Sequence, residues 1–324
     1  MTKEIKVLII GSGQIGSRHL QGFLKSNHKL SITMVDPNVK SLQNSKFRAK
    51  EIKCGNPNST VHYKQKTPKN EKFKICIIST NADVRAEVAK SLLTNCLIEN
   101  LIFEKILFQL DSDYRLVSKL LKKNQTSAWV NCNKRMVPFY KNIKKSLDLK
   151  KCVKMYIEGS SWGMACNSIH FIDLFSYFVN SSNLKILKTN FTNRLFESHR
   201  GKNFYEVNGL MECMIENHTL KISCDNKRKP FWFVKIINSK NEFHIDELKG
   251  EYKTILNKYT KTQINPYPNQ SNLSLKLIND LIEHNNCELV KYEDSCKLHI
   301  PLILEIRTHL SKLLKKKLVQ CPIT

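Results

Sequence analysis

The 324-residue sequence has no apolar run of the roughly 18 residues that a bilayer-spanning helix needs. It also has no Cys-x-x-Cys pair. Its 11 cysteines are an odd number scattered along the chain, which argues against a disulfide framework or a metal site and for free thiols in a reducing compartment. Internal repeats are missing, and the only biased tract is the lysine-rich "SKLLKKK", which reads as the solvated end of a helix. Met1 to Ile10 lacks the basic-then-apolar layout of a secretion signal. The expectation is a cytoplasmic globular protein with no membrane segment and no metal.

Acidic residues are in deficit, 28 Asp and Glu against 53 Lys and Arg, giving a formal net charge of +25. Clustered cations favour nucleic acid through counterion release. Here the excess is mostly lysine spread among Asn and Ile, arginines for base edges are few, and no nucleic-acid motif accompanies them. The charge therefore implies attraction of anionic ligands, with no specific nucleic-acid partner. Hydrophobic residues at 41% and charged residues at 25% describe an ordinary globular chain, long enough for two domains.

The first part alternates short β-branched apolar runs with amphipathic stretches, the rhythm of a doubly wound parallel sheet. Ile5 to Ile10, Ser31 to Val35, Lys74 to Ser79 and Leu101 to Glu104 read as strands. Gln14 to Ser26, "DVRAEVAKSLL" and "DYRLVSKLLKK" read as helices, with a looser polar stretch after Val35. From about Cys152, period-two segments such as "KCVKMYIEG", "NGLMECMIEN" and "FWFVKIIN" follow one another, as in a mostly antiparallel sheet with one buried face. Helices are expected at Met164 to Phe178, Leu273 to His284 and Ser295 to Lys315. The reading is α/β, with a Rossmann domain over residues 1–126 and an α+β substrate-binding domain over 127–324.

Of ten glycines, three fall within the six positions Gly11 to Gly16 of "VLIIGSGQIGSRHL", where the first strand ends and a helix begins. In a G-x-G-x-x-G of this context the first glycine permits a tight turn. The second lets the backbone approach a pyrophosphate, and the third allows close helix-to-strand packing. Asp36 ends the second strand about 20 residues beyond, where a carboxylate accepts hydrogen bonds from the adenosine ribose and disfavours a 2′-phosphate. NAD is the expected cofactor, with NADP as the second choice because Lys40 is a nearby cation. The alternative is a strand-helix turn whose glycines solve only a backbone problem, with Asp36 capping a turn before Pro37.

These residues resemble the Gfo/Idh/MocA oxidoreductases, nicotinamide-dependent enzymes acting mainly on sugars and cyclitols. The likeness runs through "GSGQIGSRHLQGF", with Arg18 and His19, then "CIISTNADVRAEVAKSLL", "IFEKIL", "NKRMVPFYKNIK" and "NSIHFIDLFSYF". It covers nearly the whole chain. The resemblance implies a cofactor-binding set of Gly11, Ser12, Gly13, Gln14, Ile15, Gly16, Asp36, Ser79, Thr80, Asn81 and Glu104. Three positions depart from the family pattern: Ile106 replaces the proline after Lys105, Arg85 a common histidine, and Cys166 the acid four residues before His170. A cis bond before Ile106 costs about 3–4 kcal/mol, against a nearly free one before proline.

Oxidising a carbinol needs a group that takes the hydroxyl proton and one that holds the oxygen. The resemblance assigns these catalytic roles to Lys105 and His170; without it, Lys105 is one surface lysine among many. Helical spacing puts Cys166, Asn167, His170 and Asp173 on one face, so Asp173 is expected to fix the imidazole in one tautomer. Substrate contacts are expected from Arg135, Ser160, Trp162, Asn167 and Asp173. Trp162 as a core ring and Arg135 in a surface ion pair are the plainer readings. The expected function is hydride transfer between nicotinamide and a carbinol or carbonyl of a sugar, nucleotide sugar or cyclitol. The alternatives are a glycosidase- or epimerase-type enzyme with no net redox change and a non-catalytic dinucleotide-binding protein. The broad second-domain sheet offers a face for homo-oligomerisation.

Overall fold

The apolar hexapeptide Ile5–Ile10 is β1, and the glycine turn after it opens α1 (Gln14–Leu24), followed by β2 (Leu30–Val35). In the computed structural model, which describes residues 4–201, 203–256 and 259–324, the polar stretch beyond β2 is structured. Asn38 caps α2 (Val39–Lys50), its side-chain oxygen accepting from the N–H groups of Lys40 and Ser41, and β3 (Thr60–Lys64) follows. Both escape a search for apolar periodicity. α2 buries only Leu42 and Ser45, and β3 alternates exposed with half-buried residues. Next come β4 (Lys72–Ile78), α3 (Ala82–Asn95), β5 (Leu97–Phe103), α4 (Asp111–Lys123) and β6 (Ser127–Val130).

A 3-10 helix, Asn133–Met136, leads into α5 (Pro138–Ser146), where proline at the first turn forfeits no hydrogen bond. Then follow β7 (Val153–Ser160), α6 (Met164–Val179), β8 (Leu184–Phe191), β9 (Phe196–Glu197), β10 (Tyr205–Glu206), β11 (Gly209–Ile215) and β12 (His218–Asp225). Four further strands, β13 (Phe231–Asn238), β14 (Asn241–Asp246), β15 (Glu251–Leu256) and β16 (Tyr259–Ile264), form a meander. The chain closes with α7 (Gln270–His284), β17 (Val290–Lys291) and α8 (Tyr292–Leu313).

Among the described residues one sheet runs β17-β6-β5-β4-β1-β2-β3, parallel except for β17. Its central strands are apolar on both faces and buried: Val7 to Ile9 and Ile75 to Ile78 have no exposed surface. Strand order reverses beside β1, so the crevice at the carboxyl ends of β1 and β4 is where such sheets take ligands. The second sheet runs β16-β15-β14-β13-β7-β12-β11-β8 and is antiparallel but for the β7–β12 pair. Met155, Ile157, Leu220, Ile222, Val234 and Ile236 line its buried face, while Lys154, Glu158, Lys221 and Phe233 lie on the open one.

Two compact units result. One holds the chain up to Phe108, Ser112–Asn131 and Pro268–Tyr292; the other holds Gln109–Asp111, Cys132–Tyr267 and Glu293–Thr324. This moves the division expected between residues 126 and 127. Ser127–Val130 completes the first sheet by parallel pairing with β5, and α7 returns to pack on α1. The approach is close enough that a Cβ on Gly22 would lie 2.5 Å from that of Ser274. Periodicity reveals that a segment has a buried face, not which sheet buries it.

Candidate functional site

The three glycines after β1 answer three different steric demands. Gly11 has φ +94°, and a Cβ there would come 2.8 Å from the carbonyl carbon of Ser79. At Gly16 a Cβ would sit 1.8 Å from the Gly11 carbonyl oxygen, so α1 packs against the turn that feeds it. At Gly13 the same atom meets nothing within 4 Å. Gly13 is also the N-cap of α1 and supplies no side-chain cap, so the orphan N–H groups of the first turn and the positive end of the helix dipole face open space beside exposed Gln14 and Ile15. A diphosphate suits such a cradle. The buried hydroxyl of Ser12 finds no hydrogen-bond partner among the described residues, a second unsatisfied group in the loop.

Asp36, half-buried at the end of β2, is fixed against this loop. Its Oδ2 accepts the Ser12 N–H at 2.7 Å and its Oδ1 accepts the Asn38 N–H at 2.8 Å, which leaves lone pairs on both oxygens for ribose hydroxyls. Ser79 donates its hydroxyl to the carbonyls of Ile10 (3.0 Å) and Gly11 (2.7 Å), tying the end of β4 to the turn. Thr80 is half-buried, and exposed Asn81 opens α3 without a side-chain cap. Sequence reasoning missed Arg48. From the far end of α2 it donates to Gln14 Oε1 at 2.6 Å and to Ser17 Oγ at 2.5 Å, bracing the first turn of α1.

Lys105 follows β5 at the carboxyl edge of the sheet and is buried, unlike an ordinary surface lysine. The Lys105–Ile106 peptide is cis although Ile106 is not a proline. Arg85 donates to the carbonyls of Thr80, Ile106 and Leu107, joining the segment after β4 to the one after β5. Glu104, beside Lys105, accepts from Asn131 at 2.6 Å and faces His19 Nε2 at 2.9 Å. Burial pushes its carboxyl up, but the His19 contact, Asn131 and the Arg85 charge outweigh that and hold it below the usual carboxylate range.

In the second unit α6 carries the other expected residues. Three of the expected substrate contacts, Asp173, Arg135 and Ser160, are committed elsewhere. Asp173 is fully buried and does not bond the His170 ring; Arg135 takes both its oxygens, Nη2 to Oδ1 at 2.6 Å and Nε to Oδ2 at 2.9 Å. Burial raises the Asp173 carboxyl, and the Arg135 charge and hydrogen bonds offset this only in part. Helical spacing put Asp173 near His170 but gave no sign of the guanidinium arriving from the 3-10 helix. Ser160 is likewise spent, donating its hydroxyl to the Arg228 carbonyl at 3.2 Å and accepting the Arg228 N–H at 3.0 Å.

Trp162, Asn167 and half-buried His170 do come together. With Lys134, Phe171 and Trp232 they line a cavity of about 150 Å³. Trp162 is nearly buried, stacked edge-on against Phe171 and donating to the Ser223 carbonyl at 3.2 Å, so it is core and cavity wall at once. Asn167 donates to the Trp162 carbonyl at 2.7 Å. Trp162, Cys166 and Asn167 also border a neighbouring cavity of about 270 Å³ with His199, Arg200 and Glu206. Lys134, Trp232 and Glu247 went unnoticed in the sequence, where each looks like an ordinary strand or turn residue.

Among the described residues no group of His, Cys, Asp and Glu has the arrangement to hold a metal ion, and no helix is long and apolar enough to cross a membrane. A doubly wound α/β unit with a glycine turn after its first strand, together with a unit built on a largely antiparallel sheet, is the class this fold defines. No family model and no curated protein matches the sequence. Solved structures do. A Gfo/Idh/MocA family oxidoreductase from Vibrio cholerae superposes with a TM-score of 0.68 at 13% identity, over 96% of this chain and 100% of that one. UDP-N-acetylglucosamine 3-dehydrogenase GnnA from Acidithiobacillus ferrooxidans gives 0.68 at 11% identity, over 96% and 99%. The 3-ketoreductase KijD10 from Actinomadura kijaniata, solved with NADP, gives 0.69 at 13% identity, over 95% and 98%. The chain shares the fold of these oxidoreductases.

Proposed function

We propose that the protein is a nicotinamide-dependent oxidoreductase of the Gfo/Idh/MocA kind, acting on a carbinol or carbonyl of a sugar, nucleotide sugar or cyclitol. The observation that carries this reading is the Gly13 cradle, open at a helix N-terminus and flanked by a carboxylate fixed 2.7 Å from the Ser12 nitrogen. Gly11 to Gly16 would hold the diphosphate and Asp36 the adenosine ribose, which favours NAD over NADP. Ser79, Thr80, Asn81 and Glu104 would border the nicotinamide side. The cofactor would supply the hydride acceptor. Lys105 and His170 hold and move the proton of the substrate oxygen, and Trp162 and Asn167 contact the substrate. Arg135 and Asp173 support α6 as an ion pair. The dehydrogenase and the ketoreductase that share the fold support this chemistry.

The test is to incubate the purified protein with sugars, nucleotide sugars and inositols while following NADH absorbance. Net formation of NADH from NAD supports the reading. Product formed with no net absorbance change assigns the non-redox alternative, and cofactor binding without any turnover removes the catalytic reading. The open face of the eight-stranded sheet, with Phe233 exposed among lysines, is the surface we assign to self-association. A monomer in sedimentation equilibrium would overturn that part.

A further inference from the structure

Lys134, which lines the cavity at His170, and Arg135 are already matched by carboxylates. Lys134, buried, places its ammonium 2.6 and 2.5 Å from the two oxygens of Glu247, which also accepts from Trp232 at 2.8 Å and from the Tyr140 hydroxyl. Burial and the Glu247 charge push the Tyr140 hydroxyl far up, so it stays a donor to that carboxylate. The same ammonium stands 4.5 Å from the centre of the Phe171 ring. Arg135 donates from Nε and Nη2, along one edge of its guanidinium, to the two carboxylate oxygens of Asp173. The cavity at His170 is thus lined by three aromatic side chains, an amide, an imidazole and a lysine whose charge is cancelled within the wall. Its volume of about 150 Å³ matches a space that holds a single six-membered ring.

From this charge balance we infer that the part of the substrate entering the cavity is an uncharged polyhydroxylated ring, and that the Lys134–Glu247 pair excludes rings bearing a carboxylate. The inference rests on the substrate site proposed above and narrows its substrate class. A uronate brought into this cavity finds no unmatched cation among the side chains that line it to replace its lost hydration, since Lys134 there is already held by Glu247. A neutral sugar needs only what is present: aromatic faces for its C–H surface, and Lys134 and Asn167 for its hydroxyls. Aryl stacking and hydroxyl recognition do not require net charge.

The test uses the NAD-loaded protein and two matched pairs, UDP-glucose against UDP-glucuronate and D-glucose against D-glucuronate. Binding is followed by tryptophan fluorescence, since two of the three tryptophans line the cavity. In at least one pair the neutral member should bind about tenfold tighter or more, and in neither should the uronate bind as tightly. Equal or tighter uronate binding in either pair overturns the inference, as does binding by no member at millimolar concentration. Glu247→Gln leaves the Lys134 charge unmatched and should shift preference toward the uronate by about tenfold. An unchanged preference in folded Glu247→Gln also overturns it, and should that variant not fold, the wild-type pairs decide alone. Failure here is separable from failure of the oxidoreductase reading. A uronate oxidised with NADH formation sinks the neutral-ring inference only, whereas neutral-ring selectivity without any redox change sinks the oxidoreductase reading only.

Discussion

His19 Nε2 and Glu104 Oε1 lie 2.9 Å apart, joining the helix that opens at the glycine turn to the strand end that presents Lys105. The other ring nitrogen of His19 is 2.8 Å from the Ser274 hydroxyl on α7, so one buried imidazole connects three segments distant in sequence. Removing it leaves a buried carboxylate with Asn131 as its remaining close donor.

His19→Ala should therefore lower stability at neutral pH by about 2–4 kcal/mol. The pH dependence has a definite sign. In the wild type Glu104 lies below its ordinary 4.5, so its contribution is present above that value and is lost as pH falls through the lower folded value. In the variant burial acts with less opposition, the carboxyl takes a proton at higher pH, and the penalty of burying its charge disappears on protonation. The gap in melting temperature between the two proteins should narrow as pH is lowered from neutral toward about 4. A gap that stays constant would remove Glu104 from the account.

Gly13 and Gly16 should separate binding from folding. Gly13→Val adds side-chain atoms where a Cβ meets nothing within 4 Å, so the protein should keep its melting temperature yet lose measurable NAD binding in calorimetry. Gly16→Ala places a Cβ 1.8 Å from the Gly11 carbonyl and should cost stability, by about 1–3 kcal/mol of overpacking or more. Unchanged NAD affinity in Gly13→Val would refute the placement of the diphosphate.

Arg135 and Asp173 should behave as a buried pair. Arg135→Met strands a fully buried carboxylate and should destabilise by about 3–5 kcal/mol, while Arg135→Met combined with Asp173→Leu should recover most of that loss. A denaturant titration of the single and double variants decides it. Equal instability of both would mean that packing, not charge, governs the site.

Lys105→Ala and His170→Ala should each spare NAD binding and lower turnover by about a hundredfold or more, the scale of general acid–base catalysis. Full activity in both variants would take these residues out of the mechanism.

The thiols give a check on burial. Cys54 is exposed, whereas burial pushes Cys213 up to about 12 and Cys224 up to about 11 from an ordinary 9.0. A disulfide reagent at mildly alkaline pH should label Cys54 before either buried thiol, because the thiolate is the reacting form. The raised values also set a sign for stability. The contribution of Cys213 and Cys224 is complete below 9.0 and declines as pH rises from there toward 11 and 12, as the unfolded chain loses those protons first.

By itself the sequence determined the parts whose physics is local. Gly11, Gly13 and Gly16 between an apolar strand and a helix fix the turn, since only backbone without Cβ fits two of those positions. Near-continuous apolarity in Ile5 to Ile10 and Lys74 to Ser79 pointed to strands buried on both faces, and alternation in the segment "KCVKMYIEG" to one buried face. Tertiary structure alone decided which charge meets which. Helical spacing placed Asp173 near His170, but Arg135 reaches it from another element and makes two hydrogen bonds at once. Lys134 and Glu247, 113 residues apart, and His19 and Glu104, 85 apart, are paired by sheet and helix packing that no local pattern records. A buried charge must find a partner, and which one it finds depends on where the chain returns in space.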